Sequence, residues 1–541
     1  MAHRRFQADV VIVGGGLAGM TAACELLDLG RRVVILDRDV PERFGGLAKE
    51  SFGGVMMVDT PLQRKNGIRD SPELALSDWL SCADFEEDAH WPRKWAELYV
   101  HRSGDIIHEY LKDRKVTFLP VVNWPERGLF KPGNSVPRWH IAWGTGFGII
   151  EGIQGWLRAH HKRGNLEVHF GCKVEALDVS AGTITGVSGS LEGSREPFSA
   201  TGDAVILAAG GMCGGDLSKV REHWYAPWGA PPEKLLNGSH RYADGLVHDA
   251  AEAVGANITH LDKQWHYAAG VDYPNADMPN KGLSLVPPRS ALWFNALGER
   301  IMDPVPLVGY TDTRYLVKQI CRQPGQYSFQ LMNWKIAIKE LAISGSEHMK
   351  AFRHKNKVRL LKELLFGNTE LVNRLIGESR DFITAGSLDE MVDKMNDMGN
   401  PFTVDRHSLK GAVAAYDDQI DRGPAFFNDD QLRRIANFRT YRGDRLRTCK
   451  FQKIDAPSAR PLIAVREFIL SRKSLGGIQT DLSCRVLSQD GTPISGLYAA
   501  GETAGFGGGG IHGKGSLEGT FLGSCVLMGR IAAHHICGKG L

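Results

Sequence analysis

Residues 9–37 read DVVIVGGGLAGMTAACELLDLGRRVVILD, and no other stretch restricts the fold as tightly. DVVIV is a continuous apolar strand, the pattern of a parallel strand covered on both faces. The chain then passes Gly14, Gly15, Gly16 and Gly19 before MTAACELLDL, a helix that Gly30 closes. RVVILD is a second strand. Gly14, Gly16 and Gly19 stand in G-x-G-x-x-G register, after a strand and at the opening of a helix. In that setting the first glycine permits the tight turn and the second lets a pyrophosphate approach the backbone. The third lets the helix pack on the sheet. The helix N-terminus offers free N–H groups to the phosphate. Asp37 ends the second strand, where a carboxylate accepts hydrogen bonds from ribose hydroxyls. The unit predicts an α/β, Rossmann-like domain that holds a dinucleotide.

Two more strands of this kind follow far along the chain. DAVILAAGG spans residues 203–211, and GLYAAGE spans 496–502 after the hairpin-like IQTDLSCRVLSQDGTPI. The second strand runs into GFGGGGIHGKGS, a glycine density that ordinary loops lack. The amino-terminal fingerprint alone does not choose between NAD and FAD. FAD is long, and holding it extended calls for a second contact near its far end. GLYAAGE supplies one, with Glu502 beside the ribityl hydroxyls. The helix beginning near LEGTFLGSCVLMGRIAA would aim its positive end at the flavin ring. The two glycine loops are therefore read as the two ends of one FAD site.

The 541 residues allow three to four domains, or one large discontinuous domain with an insert. Residues 1–275 and 456–541 read as the FAD domain, and 276–455 as an inserted α+β cap or substrate domain with helical patterns such as MNWKIAIKELAIS and SLDEMVDKMNDM. With 43% apolar and 23% charged residues the composition is globular. The net charge of +3 asks for neither nucleic acid nor an anionic membrane. Nine dispersed cysteines without a CxxC pair, and an apolar run too short for a signal sequence, point to the cytoplasm. No segment reaches the ~18 apolar residues of a membrane span. The 19 histidines show no ligand spacing, so no metal is expected. No haem or iron–sulfur motif is present, so the electron acceptor is external.

VVIVGGGLAGMTAACEL, VILAAGG, YADGLVHDAAEAVGA and GLYAAGE together resemble the flavoproteins of the fumarate reductase/succinate dehydrogenase superfamily. PLIAV, RKSLGGIQTD and GFGGGGIHGKGSLEGTFLGSCVLMGRIA look most like the FAD-binding dehydrogenases grouped with 3-ketosteroid dehydrogenases. The resemblance covers residues 8–275 and 456–535, plus LWFNALGERIMDP in the insert. It implies a discontinuous FAD domain with a cap, and hydride exchange between flavin N5 and a carbon adjacent to an activated one. The cofactor set it implies comprises Gly14, Gly16, Leu17, Ala18, Gly19, Asp37, Arg38, Gly46, Gly53, Gly54, Val174, Ala209, Gly210 and Asp244. From the far end it adds Gly501, Glu502, Ser516, Leu517, Gly519 and Thr520.

Departures from the resemblance narrow the substrate. Fumarate reductases carry a His three residues before the late GG pair and an Arg before the last helix; here those places hold Lys473 and Ser516. A dicarboxylate would be poorly compensated there, so an apolar, neutral ketone is expected. The ketosteroid enzymes favour a Tyr near PLIAV, where this chain has none. RFGGLAKESFGG lacks the His of covalent flavin attachment, so FAD is held non-covalently. α,β-Desaturation of a ketone needs carbonyl donors and a base for the α-proton. The candidates are His266 with Tyr267, Tyr310 with Arg314, Arg472 with Lys473, and His512 with Ser516. Tyr310 is read as the base, beside Arg314 or Arg472, with Lys473 and N–H groups near Gly476 as donors. The alternatives are a fumarate reductase-like ene reductase, and a flavin-binding electron-transfer subunit without a substrate of its own. RHKNKVRLLK (353–362) reads as a solvated helix face rather than a nucleic-acid patch. RRIANFRTYRGDRLRTCKFQK (433–453) reads as surface or hinge, with guidance of an anionic partner or contact with another subunit, in a homo-oligomer, as the alternatives.

Overall fold

One sheet gathers strands from both ends of the chain. In the computed structural model, which describes residues 3–309 and 311–541, its order is Arg485–Leu487, Pro493–Ala499, Ala204–Leu207, Val10–Val13, Val33–Leu36 and Leu166–His169. All neighbours pair parallel except the antiparallel edge Arg485–Leu487. Val11 lies opposite both Val34 and Val205, and Val205 opposite Leu497. The strands VVIV, VVIL and AVIL are buried along their whole length. That is why they lack the alternation of a one-sided sheet.

Helix Leu17–Asp28 packs on helix Thr520–Ile536. The contact is close: a Cβ at Gly529 would lie 2.5 Å from the Ala18 carbonyl oxygen. Glu25 accepts from Arg530 Nε at 3.1 Å and pairs with His534 Nε2 at 2.7 Å. Glu25 is buried, so the pair also fixes the helices' register. A four-stranded sheet, Arg4–Gln7, Pro197–Thr201, Thr183–Leu191 and Cys172–Ser180, belongs to the same compact unit. That unit comprises residues 1–225, 239–265 and 472–541.

The second unit comprises residues 226–238 and 266–471, against boundaries of 275/276 and 455/456 read from the sequence. It is built on an eight-stranded sheet whose order includes Leu292–Phe294, Tyr327–Asn333, Leu462–Ser474, Gln264–Asp272 and Gly282–Val286. Its strands are less visible in sequence than its helices. MNWKIAIKELAIS reads as one helix, yet its first residues end the strand Tyr327–Asn333, which pairs with Leu462–Phe468. The helix starts only at Trp334, where Asn333 caps it by accepting from Ile336 N–H. SLDEMVDKMNDM does form the expected helix, Leu388–Asn396, capped by Ser387. Among the described residues no helix is long and apolar enough to cross a membrane.

Candidate active site

The first unit contains a cleft lined from both ends of the chain, by the Gly14–Ala18 loop, Asp37 and Arg38, Ala208–Gly211, Ser239–His248, Ala500 and Glu502. Gly14, at φ 103°, needs the absence of a side chain, since a Cβ would sit 2.4 Å from the Ala208 carbonyl oxygen. Gly19 lets the helix pass close to the loop, with 2.1 Å between its would-be Cβ and the Gly14 carbonyl oxygen. Gly16 differs: nothing lies within 4 Å of where its Cβ would be, and the same holds for Gly210. Both line the cleft and leave backbone open for an extended ligand. Gly46 and Val174 also line it.

At one end of the cleft Asp37 is anchored by its own backbone neighbours. Its Oδ2 accepts from Gly15 N–H at 2.7 Å and its Oδ1 from Asp39 N–H at 2.8 Å. Burial pushes its carboxyl above the usual range despite these bonds. Arg38 is held between Glu192 at 2.6 Å and Asp244 at 2.7 Å, with Tyr242 stacked on its guanidinium at 4.4 Å. His240 pairs with Asp39 at 3.0 Å. Tyr242 and His240 were not singled out from sequence, although both lie in or beside YADGLVHDAAEAVGA.

Glu502 lies in a turn, Gly501–Thr503, three residues beyond the strand rather than at its end. The strand stops because Gly501 takes φ 70°, and its would-be Cβ meets Ala18 Cβ at 3.0 Å. Glu502 Oε1 accepts from Ser474 N–H at 2.8 Å. Burial raises its carboxyl to about 7, with the Ser474 bond, Lys473 and Arg472 acting against it. Ser474 Oγ in turn accepts from Met212 N–H at 2.9 Å, so this corner is knit from three distant segments.

A second polar cluster lies at the start of helix Thr520–Ile536. The Lys473 ammonium sits 3.7 Å from the centre of the Phe521 ring. Burial lowers it to about 8, with Glu518 opposing the shift. Glu518 accepts from Trp265 Nε1 at 3.1 Å. His512 Nε2 is 2.7 Å from Thr520 Oγ1, which donates to the Leu517 carbonyl at 2.8 Å and therefore accepts from the histidine. His512 is stacked on Trp79, and burial holds it well below the usual imidazole range, so it is neutral. Its Nδ1 is buried and has no hydrogen-bond partner among the described residues. Ser516 Oγ is 3.1 Å from Thr520 Oγ1 and buried. Gly54 opens the strand Gly54–Met56, and Met56 N–H donates to the Gly519 carbonyl at 2.9 Å. Gly53, at φ 81°, packs against Thr145. The structure thus brings Lys473, His512, Ser516, Leu517 and Thr520 into one neighbourhood and adds Glu518, Trp265 and Phe521.

Of the N–H groups near Gly476 expected as donors, those of Leu475 and Gly476 already donate to the Lys263 carbonyl, at 2.9 and 3.3 Å. In the second unit His266 and Arg314 both face Trp228. The His266 ring lies 6.2 Å from it and the Arg314 guanidinium 5.4 Å. Burial lowers His266 to about 3, so it holds no proton on its second nitrogen at neutral pH. Tyr310 lies outside the described residues. Among those residues, no group of three His, Cys, Asp or Glu side chains is placed to hold a metal.

A family model described as an FAD binding domain matches residues 9–522. A KsdD-like steroid dehydrogenase of Mycolicibacterium smegmatis is 41% identical over 535 residues, covering 95% of this chain and 96% of its own. Another, from Mycobacterium tuberculosis, is 40% identical over 544 residues, with 97% and 95% coverage. In fold the chain is similar to a 3-ketosteroid delta1-dehydrogenase of Sterolibacterium denitrificans, with a TM-score of 0.70 at 16% identity over 98% of this chain and 99% of that one. A flavocytochrome c3 fumarate reductase gives a TM-score of 0.67 at 19% identity, over 98% and 78%. The open glycines and the paired carboxylates fit FAD. The chain belongs to the FAD-binding family defined by that model, and it is an FAD-dependent oxidoreductase.

Proposed function

We propose that the protein removes two hydrogens from adjacent carbons beside the carbonyl of an apolar ring ketone of the 3-ketosteroid class. The observation that carries this reading is the identity of about 40% with KsdD-like steroid dehydrogenases along nearly the whole chain. The site chemistry supports it. Ser516 and Lys473 occupy the two places where a dicarboxylate enzyme of the superfamily would carry Arg and His, and Ser516 is buried in hydrogen bonds. The surroundings of Lys473 are aromatic: Phe521 lies under its ammonium, with His512 4.8 Å and Phe506 4.9 Å from that ring. A neutral, apolar substrate costs less to desolvate in such a place than a dianion.

FAD, when bound, supplies the two-electron hydride acceptor. Gly14, Gly16, Leu17 and Ala18 would hold its pyrophosphate, Asp37 a ribose, and Glu502 the ribityl chain. Lys473 polarises the ketone oxygen, assisted by the Glu518–Trp265 pair that fixes Glu518 beside it. Tyr310 takes the α-proton. The second unit, residues 226–238 and 266–471, serves as the cap or substrate domain. The electron acceptor is external, and the nine free thiols suit the cytoplasm.

The test is anaerobic mixing of the full-length holoprotein with saturated 3-ketosteroids, cyclohexanones and succinate. The expected result is bleaching of the flavin band by a 3-ketosteroid, with a product two hydrogens lighter by mass spectrometry. Bleaching by succinate and by no ketone would overturn the proposal.

A further inference from the structure

The RHKNKVRLLK stretch, expected as a solvated helix face, folds into helix Lys357–Phe366, but the face it shows to solvent is apolar. Val358 is 66% exposed, Leu361 57%, Leu364 42%, Leu365 68% and Phe366 74%. These are five of the largest exposed apolar side chains, gathered within nine consecutive residues. At 100° per residue Val358, Leu361, Leu364 and Leu365 fall on one arc. The helix is firmly built. Asn356 caps it by accepting from Arg359 N–H at 2.9 Å, and Asn368 N–H beyond its end donates to the Ile338 carbonyl at 2.7 Å. A rigid element that presents a contiguous apolar stripe marks a contact surface.

The charges around the stripe select its occupant. Glu363, the only acid within the helix, is turned aside and held by Arg359 at 2.8 Å. Arg359 and Lys350 also engage Glu370, at 2.7 and 3.0 Å. Among the described residues Lys355, Lys357 and Lys362 make no ion pair, and all three are exposed. Lys362 borders the apolar arc, and Lys357 stands within it at the first turn, where a long stem can carry its ammonium outward. A second copy docked about a two-fold axis on this face would bring two sets of unpaired lysines into one interface. An anionic surface meets both halves of the pattern: apolar side chains enter the acyl boundary while lysine stems snorkel to the headgroups.

We propose that helix Lys357–Phe366 seats the protein on an anionic lipid surface, with Val358, Leu361, Leu364 and Leu365 inserted and Lys355, Lys357 and Lys362 at the headgroups. The small net charge of +3 does not oppose this, because attraction to such a surface decays within a Debye length and is set by local charge. The inference does not depend on the ketone substrate.

The experiment is co-sedimentation of the full-length holoprotein with vesicles of phosphatidylcholine alone and of phosphatidylcholine with phosphatidylglycerol. Binding is expected to the mixed vesicles and to weaken with added salt. Leu361→Glu with Leu365→Glu should reduce the partition coefficient at least tenfold. Lys357→Ala and Lys362→Ala should each reduce it by about fivefold. Retained flavin absorbance shows that each variant is folded. Equal binding to phosphatidylcholine alone, or binding unchanged in the variants, would overturn the proposal. So would a lipid-free oligomer that Leu361→Glu with Leu365→Glu dissociates in sedimentation velocity, since the face would then belong to a second copy.

Discussion

Replacing Gly16 by alanine separates the fold from the cofactor. Gly16 has φ −75° and ψ −173°, a conformation any residue adopts, and the position of its Cβ is empty to 4 Å. The apoprotein should therefore keep its stability, or gain about 0.4–1 kcal/mol from a less flexible unfolded chain. The new methyl group projects into the cleft, where the pyrophosphate would meet the backbone. Two charge-assisted hydrogen bonds lengthened there, at about 1.5–3 kcal/mol each, would weaken FAD binding by about 10²–10⁴-fold. Gly19→Ala is the contrasting case. Its Cβ would stand 2.1 Å from the Gly14 carbonyl oxygen, so the fold itself must shift, at about 1–3 kcal/mol. Flavin fluorescence quenching on titration into apoprotein reads the affinity, and thermal melts of the same samples read the fold. A Gly16→Ala variant with wild-type FAD affinity would refute the assignment of this loop to the pyrophosphate.

Further outcomes follow from the carboxylates and lysine deeper in the first unit. Lys473→Met should retain FAD and lower turnover by about 10²-fold. If the ammonium polarises the ketone, wild-type rate falls as pH rises through about 8, where burial has brought the lysine, and the variant's pH–rate profile lacks that limb. Burial raises Glu502 to about 7, so the stability tied to its neutral form is full below the ordinary carboxylate value and lost as pH climbs through about 7. The loss amounts to ~3 kcal/mol. Melts of apoprotein from pH 5 to about 8 should show it, and Glu502→Gln should flatten it. Glu25→Ala, which strips Arg530 and His534 of their partner between two helices, should cost ~3 kcal/mol in denaturant melts. FAD affinity should remain.

The cofactor cleft was legible because its parts are local. Gly14, Gly16, Gly19 and Asp37 lie within one strand–loop–helix–strand unit, and each glycine's task follows from the spacing. The carboxyl-terminal strand was readable for the same reason, though Glu502 was placed at its end when a positive-φ glycine stops the strand earlier. What stayed hidden rests on contacts of long separation. Arg38 meets Asp244 across 206 positions, and Trp265 meets Glu518 across 253. No periodicity marks such pairs. The N–H groups near Gly476 show the same limit from the other side: the sequence offers them as carbonyl donors, and only the fold reveals that the Lys263 carbonyl takes those of Leu475 and Gly476. In RHKNKVRLLK the basic residues were plain, but a 3.6-residue pattern does not say which face turns outward, and here the apolar one does.

That residues near both ends of the chain hold one FAD is a claim about stoichiometry, and counting bound flavin per chain tests it. Full-length wild-type protein should carry one FAD per chain. Gly16→Ala at one end and Gly501→Val at the other should each, alone, release it from the purified protein. Flavin retained at full occupancy after either substitution, or wild-type protein that takes up none on titration, would contradict the claim.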